Sequence, residues 1–199
     1  MSTAILMPSC FGGVVAIVLL GLVGVVAVVG LWFVFAYNGL VRLRNGVKNA
    51  WSQIDVQLKR RYDLIPNLIE TVKGYAAHER GTFDEVTKAR QAGIDASTVK
   101  DQAEAENMIT GALRRMFAVA EAYPDLKANQ NFLALQEELA STENKIGFAR
   151  QYYNDTVQEF NTRQEVFPTN LVASMLGFQR ADFFEIDDAT QREAPKVKF

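Results

Sequence analysis

The sequence of 199 residues contains one cysteine, Cys10, and one histidine, His78. A lone cysteine excludes an intrachain disulfide and a cysteine-based metal site. A lone histidine cannot supply the two Glu-x-x-His pairs of a ferritin-like di-iron site. It also leaves His78-Glu79 as half of a His-Glu-x-x-His zinc motif, since Thr82 stands where the second histidine belongs. His78 therefore reads as a polar residue near a helix end. Gly74, Gly81 and Gly93 stand alone, without the spacing or the Lys-Ser/Thr ending of a phosphate loop, and a Ser-His-Asp triad has no support from a histidine placed between helices. The expectation is a protein that is not an enzyme, with no catalytic residue, no cofactor and no metal.

Proline and alternation are scarce as well. Beyond residue 37 prolines occur only at positions 66, 124, 168 and 195, and no run alternates apolar with polar residues as a strand would. The chain is expected to be all-α. Net positive charge is confined to one place: residues 38–61 hold Arg42, Arg44, Lys48, Lys59, Arg60 and Arg61 against Asp55, a local +5 that leaves a net −7 for residues 62–199. A nucleic-acid binder spreads its basic residues over a folded face, so nucleic acid is not an expected partner.

What the sequence does have is a run of 27 residues, 11–37, without a charge, an Asn, a Gln or a Ser. As a helix it would measure about 40 Å, at about 1.5 Å per residue, against a hydrocarbon core of about 30 Å. It exceeds the apolar core of a cleavable signal peptide, about 7–15 residues, and no Lys or Arg precedes it. Cys10 is a poor lipoprotein site, because Pro8 interrupts the short apolar stretch before it. The run reads as one transmembrane helix. Its lack of ionisable residues argues against a channel or transport role. The basic flank predicts a short N-terminus, residues 1–10, outside, and everything after the span in the cytoplasm. Trp32, Phe33, Phe35 and Tyr37 cluster at the same end, as an interfacial aromatic belt does. Membrane lipid is thus the first expected partner.

Helical periodicity organises the rest. Val47, Trp51, Ile54, Leu58, Tyr62, Ile65, Ile69, Val72 and Tyr75 step by threes and fours. Pro66 lies within this stripe; because the phase survives it, the expectation is one long, kinked helix, the alternative being a new helix from Asp63. Thr82-Phe83-Asp84-Glu85 has the form of a capping box for a second helix, whose short apolar face of Phe83, Val86 and Ala89 stops at Gly93. Ser97 or Thr98 would cap a third, with Ile109, Leu113, Met116 and Ala120 facing inward, ended by a turn at Tyr123-Pro124-Asp125. Phe132, Leu135, Leu139, Thr142, Ile146, Ala149, Tyr153, Thr156 and Phe160 then form a heptad stripe that ends before Phe167-Pro168. Residues 170–177 suit one more short helix, and a tail with Phe178, Phe183 and Phe184 follows.

The motif Tyr62-Asp63-Leu64-Ile65-Pro66-Asn67-Leu68, followed by Val72-Lys73-Gly74-Tyr75 and His78-Glu79, resembles the first helix of the LemA family. The resemblance continues in Thr142-Glu143-Asn144-Lys145-Ile146, in Ala149-Arg150-Gln151-Tyr152-Tyr153-Asn154, in Phe160-Asn161 and in Phe167-Pro168. It covers nearly the whole chain. It implies a bacterial protein of the cell (inner) membrane, whose N-terminal transmembrane helix is followed by an antiparallel bundle of about four helices with long first and last members. It implies no activity; the family's context suggests envelope homeostasis, with a membrane protease as candidate partner.

The expected organisation is a short N-terminus (1–10), the span (11–37), a bundle (38–167) and a C-terminal short helix and tail (168–199). Asn144, Arg150, Tyr153 and Asn154 match a family motif without an assigned role. With Asn161 nearby, they form a candidate polar docking group or a set that holds helix register. Phe178, Phe183 and Phe184 are candidate contacts of a homo-oligomer. The expected function is a non-enzymatic, membrane-anchored scaffold or adaptor that assembles with copies of itself.

Overall fold

The computed structural model describes residues 7–76 and 78–185. Among these the secondary structure is helical, with no strand: α1 (Met7–Lys73), α2 (Arg80–Asp95), α3 (Val99–Glu121), α4 (Pro124–Lys127), α5 (Gln130–Glu165) and α6 (Thr169–Met175). They divide into two compact units, one drawn from Met1–Asn45 and Phe160–Arg180, the other from Gly46–Glu159 and Ala181–Phe199. Helices α1 and α5 contribute to both.

In the second unit α1, α2, α3 and α5 form the bundle. Contacts between α1 and α5 descend along one helix as they climb the other: Trp51 meets Tyr153, Arg60 meets Glu138, and Arg61 meets Glu143. The two helices are therefore antiparallel. Lys73 lies over Phe83 while Arg90 donates to the Tyr62 carbonyl, and Arg115 pairs with Glu85, so α2 runs against both α1 and α3. Ile54, Leu58, Ile65, Leu68, Val72, Val86, Ile109 and Met116 are sealed from solvent between them. The stripe of α1 is wider than a coiled-coil seam, since Ala50, Leu64 and Leu68 are buried beside it; a helix facing several neighbours buries a broad arc. Helix α1 continues without a break through Pro66, which is exposed.

Two boundaries differ from expectation. Helix α2 begins at Arg80, and Thr82 donates its N–H to the Glu79 carbonyl at 3.1 Å. That bond places Thr82 inside the first turn, where it cannot act as the capping residue of a box with Glu85. The turn at Tyr123-Pro124-Asp125 is the start of α4, with the proline at the first helical position, where its missing N–H costs nothing. Thr98 caps α3 by accepting from the Asp101 N–H at 3.1 Å. On α5 the buried stripe of Phe132, Leu139, Thr142, Ile146 and Tyr153 passes to Val157 in place of Thr156, then to Phe160, Asn161 and Gln164. A straight α-helix drifts about 20° per heptad from a strict seven-residue repeat, which accounts for the slip.

In the first unit, α6 packs Val172 and Ala173 on Ala36 and Leu40 of α1, with Phe33 and Phe178 at the edges. Gly177, at φ 67°, ends α6. Its N–H donates to the Ser174 carbonyl at 3.3 Å and that of Phe178 to the Ala173 carbonyl at 3.0 Å, the paired bonds of a Schellman ending. The left-handed residue turns Phe178 back onto α1, where its ring meets Tyr37 edge-on at 6.2 Å and lies 5.4 Å from the Arg44 guanidinium carbon.

Candidate functional site

Three features of the second unit bear on function: a buried polar network, a clasp that holds the C-terminal tail, and an apolar groove.

The network begins at Arg61 on α1, 3% exposed, which donates through Nη1 to Oε2 of the fully buried Glu106 at 2.7 Å. Its Nη2 reaches Thr110 Oγ1 and Glu143 Oε2, each at 3.1 Å. Tyr62 donates its hydroxyl to the other oxygen of Glu106 and accepts from Gln102 Nε2 at 2.6 Å. Gly93 of α2 lets the two helices close over this tyrosine: a Cβ there would lie 2.6 Å from the Tyr62 hydroxyl oxygen. Burial raises the Glu106 carboxyl above its ordinary range, opposed by the Arg61 charge and the hydrogen bonds from Tyr62 and Gln102. Burial, and then the neighbouring Glu106 carboxylate, pushes the Tyr62 phenol up, so it remains a donor. A cleft of 330 Å³ reaches Tyr62 and Gln102 between Lys59, Asp63, Arg90 and Ile94. With Glu106 sealed from solvent, the network ties α1 to α3.

Sequence reasoning missed this network. It counts Arg61 with the basic flank, yet Arg61 is buried, Arg60 is paired with Glu138 at 2.8 Å, and Lys59 lines the cleft. All three lie more than 20 residues beyond the span. The charge that flanks the span is therefore Arg42, Arg44 and Lys48. A usable signal was present on α3: Gln102, Glu106, Ile109, Leu113, Met116 and Ala120 share one helical phase, which places two polar residues on the inward face.

Two members of the candidate polar group meet in the clasp. Tyr153, 2% exposed, donates its hydroxyl to the Asp182 carbonyl at 2.9 Å. Asn154 donates through Nδ2 to the Phe184 carbonyl at 3.1 Å and accepts from the Phe184 N–H at 2.9 Å. The side-chain amide thus satisfies both backbone groups of one residue, as a neighbouring strand would. Burial, and then Asp182, raises the Tyr153 phenol. Asn144 is exposed and Arg150 half-buried, and neither joins the clasp. Asn161 is buried farther along α5.

The three phenylalanines do not form one exposed cluster. Phe184 is fully buried against Trp51, ring centroids 5.6 Å apart and nearly perpendicular. Phe178 is half-buried within the first unit, and Phe183 is exposed beside Lys100, Glu104 and Asn107. Residues 182–184 dock on the bundle because Trp51 and Tyr153, which meet at 5.3 Å, provide an aromatic seat and Asn154 the backbone partners. His78 is exposed in the turn before α2. No group of three or more His, Cys, Asp or Glu among the described residues is arranged to hold a metal ion.

The groove, of 610 Å³, lies between α1 and α5, lined by Ser52, Val56, Gln57, Lys145, Phe148 and Tyr152. Val56 is 62% exposed and Phe148 74%. Along α1, residues 17–31 expose their Val, Leu and Ile side chains, and the helix is long and apolar enough to cross a membrane. It fits a membrane anchor.

The chain is similar to several known proteins. Protein LemA of Metamycoplasma hominis is 29% identical over 164 residues, 78% of this chain and 74% of the relative. Magnetosome protein MamQ 2 of Paramagnetospirillum magneticum is 24% identical over 200 residues, 87% of this chain and 73% of the relative. Magnetosome protein MamQ of Magnetospirillum gryphiswaldense is 23% identical over 174 residues, 74% of this chain and 64% of the relative. The LemA family model matches residues 50–199, and the chain belongs to the LemA family.

Proposed function

We propose that this protein is a non-enzymatic scaffold of the bacterial inner membrane, anchored by one span with the N-terminus outside and the bundle in the cytoplasm, and that it assembles with copies of itself. The observation that carries this reading is the groove lined by Val56, Phe148 and Tyr152. Large apolar side chains left in water forgo about 1.5–3 kcal/mol each relative to full burial, and grouped exposed apolar residues mark interaction surfaces. A second copy supplies the same surface, and confinement to a membrane raises its effective concentration, so a modest patch suffices. The orientation rests on Arg42, Arg44 and Lys48 beside the span, against an N-terminal segment without a basic residue.

The mass of the full-length protein in nanodiscs tests the assembly. The wild type is expected as an oligomer, and Phe148→Asp with Val56→Asp as a monomer of unchanged helical content. A monodisperse wild-type monomer overturns the scaffold reading. Protease added to intact spheroplasts is expected to spare the bundle; digestion without lysis reverses the orientation.

A further inference from the structure

Helix α6 and the residues before it carry more apolar surface than the protein covers. Val172 and Ala173 are buried on Ala36 and Leu40, whereas Phe167 is 75% exposed, Leu171 57% and Met175 74%. Phe167 lies in the turn before α6, and Leu171 and Met175, four residues apart, stack one turn apart on α6. At about 100° per residue the apolar arc runs from Leu171 and Met175 round to Val172 and Ala173, with Asn170 and Ser174 on the remaining side. Helix α6 buries half of that arc against α1 and leaves the other half open.

What lies beside the open half follows from the partner residues. Ala36 and Leu40 straddle the end of the charge-free run at Tyr37, and Arg42 is the first charge after it. If residues 11–37 cross the bilayer, this stretch is the boundary between acyl chains and headgroups. On the same turn Phe35 is 73% exposed, continuous with the exposed apolar surface of the span. Basic residues accompany this stretch: Arg42 follows Leu40 by two positions, the Arg44 guanidinium lies against Phe178, and Arg180 pairs with Glu165 at 2.9 Å while remaining 68% exposed. An apolar arc flanked by basic side chains at this level is the pattern of a helix lying in the membrane interface.

We propose that α6 is a second membrane contact, an interfacial helix that seats Phe167, Leu171 and Met175 in the acyl–headgroup boundary beside the span. The bilayer is the occupant of this face because the surface continues that of the span and sits at its end. Docking α6 on α1 makes the anchor two elements wide, and the Schellman ending at Gly177 holds it there.

The inference rests on the span crossing the bilayer, and the experiment separates the two. Spin labels are placed singly at Leu171→Cys, Met175→Cys, Phe35→Cys and Glu137→Cys in a Cys10→Ser background of the full-length protein. Each is reconstituted in nanodiscs of phosphatidylcholine and phosphatidylglycerol. Collision with oxygen, which partitions into lipid, is compared with collision with a water-soluble nickel chelate. Labels at 171 and 175 are expected to resemble Phe35→Cys, oxygen-accessible and chelate-shielded, and to differ from Glu137→Cys. Chelate access at 171 and 175 with lipid-like behaviour at 35 overturns the interfacial helix alone. Shielding from both relaxants, with dipolar broadening between labels, shows a second copy on this face and overturns it too. Water-like behaviour at position 35 overturns the span and the inference together.

Discussion

Replacing Gly93 with alanine sets two effects of opposite sign against each other. By helix propensity alone the change stabilises α2 by about 0.8–1.0 kcal/mol. The tertiary structure forbids that gain. The new methyl carbon would lie 2.6 Å from the Tyr62 hydroxyl oxygen, 2.9 Å from the ring carbon bearing it and 3.2 Å from a terminal carbon of Ile109. Tyr62 is 7% exposed and held on both sides of its hydroxyl, by Gln102 and Glu106, so it has no free direction in which to yield. Overpacking of this kind costs about 1–3 kcal/mol, and stripping the hydroxyl from a buried carboxylate about 1–3 kcal/mol more. After the propensity gain is subtracted, the net expected loss centres near 3 kcal/mol. At about 2–4 °C per kcal/mol for a chain of this size, the midpoint drops by about 6–12 °C. Thermal melting of the full-length protein in detergent, followed by far-ultraviolet circular dichroism, measures it. In a Tyr62→Phe background the hydroxyl contact is gone and the added methyl is expected to cost less, so the two changes are coupled. A raised melting temperature for Gly93→Ala, or strict additivity with Tyr62→Phe, refutes the reasoning.

Glu106→Ala leaves Arg61 buried without its main counter-charge and is expected to cost about 3–5 kcal/mol in urea unfolding, whereas Arg61→Met with Glu106→Leu recovers most of that loss; equal losses in the two variants would contradict the pairing. Because burial holds the Glu106 carboxyl above its ordinary value, the folded protein keeps that proton where the unfolded chain has released it. The stability this group contributes is complete below the unfolded pKa and falls as pH rises toward the folded one; Glu106→Gln is expected to remove that slope, and a wild-type minus variant difference that grows with pH would count against it. Asn154→Ala removes both hydrogen bonds to Phe184 and is expected to raise amide exchange at Phe184 by at least tenfold, about 1.4 kcal/mol, while leaving exchange in α2 and α3 unchanged. Exchange at Phe184 equal to that of the wild type would mean the Trp51 contact alone holds the tail.

Periodicity and composition sufficed for the long helices, though not for α4 or the start of α2. A charge-free run of 27 residues, stripes stepping by threes and fours, and Thr98 before α3 are local signals, since hydrogen bonding within a helix and the burial of one face depend on residues close in sequence. The resemblance carried by Tyr62-Asp63-Leu64-Ile65-Pro66-Asn67-Leu68 and the motifs around Asn144 pointed to the family in the same way. The candidate sites were legible only in part, because they depend on which faces meet. Arg61 looked like flanking charge until Glu106, 45 residues away, received it. Phe184 looked like an exposed contact until Trp51 and Asn154 enclosed it. Leu171 and Met175 are ordinary members of a short apolar helix in sequence; their exposure was decided by Ala36 and Leu40 taking only Val172 and Ala173. A side chain's type sets what it costs to bury or expose, but the neighbour that covers it comes from a distant helix, and only the tertiary structure chooses that neighbour.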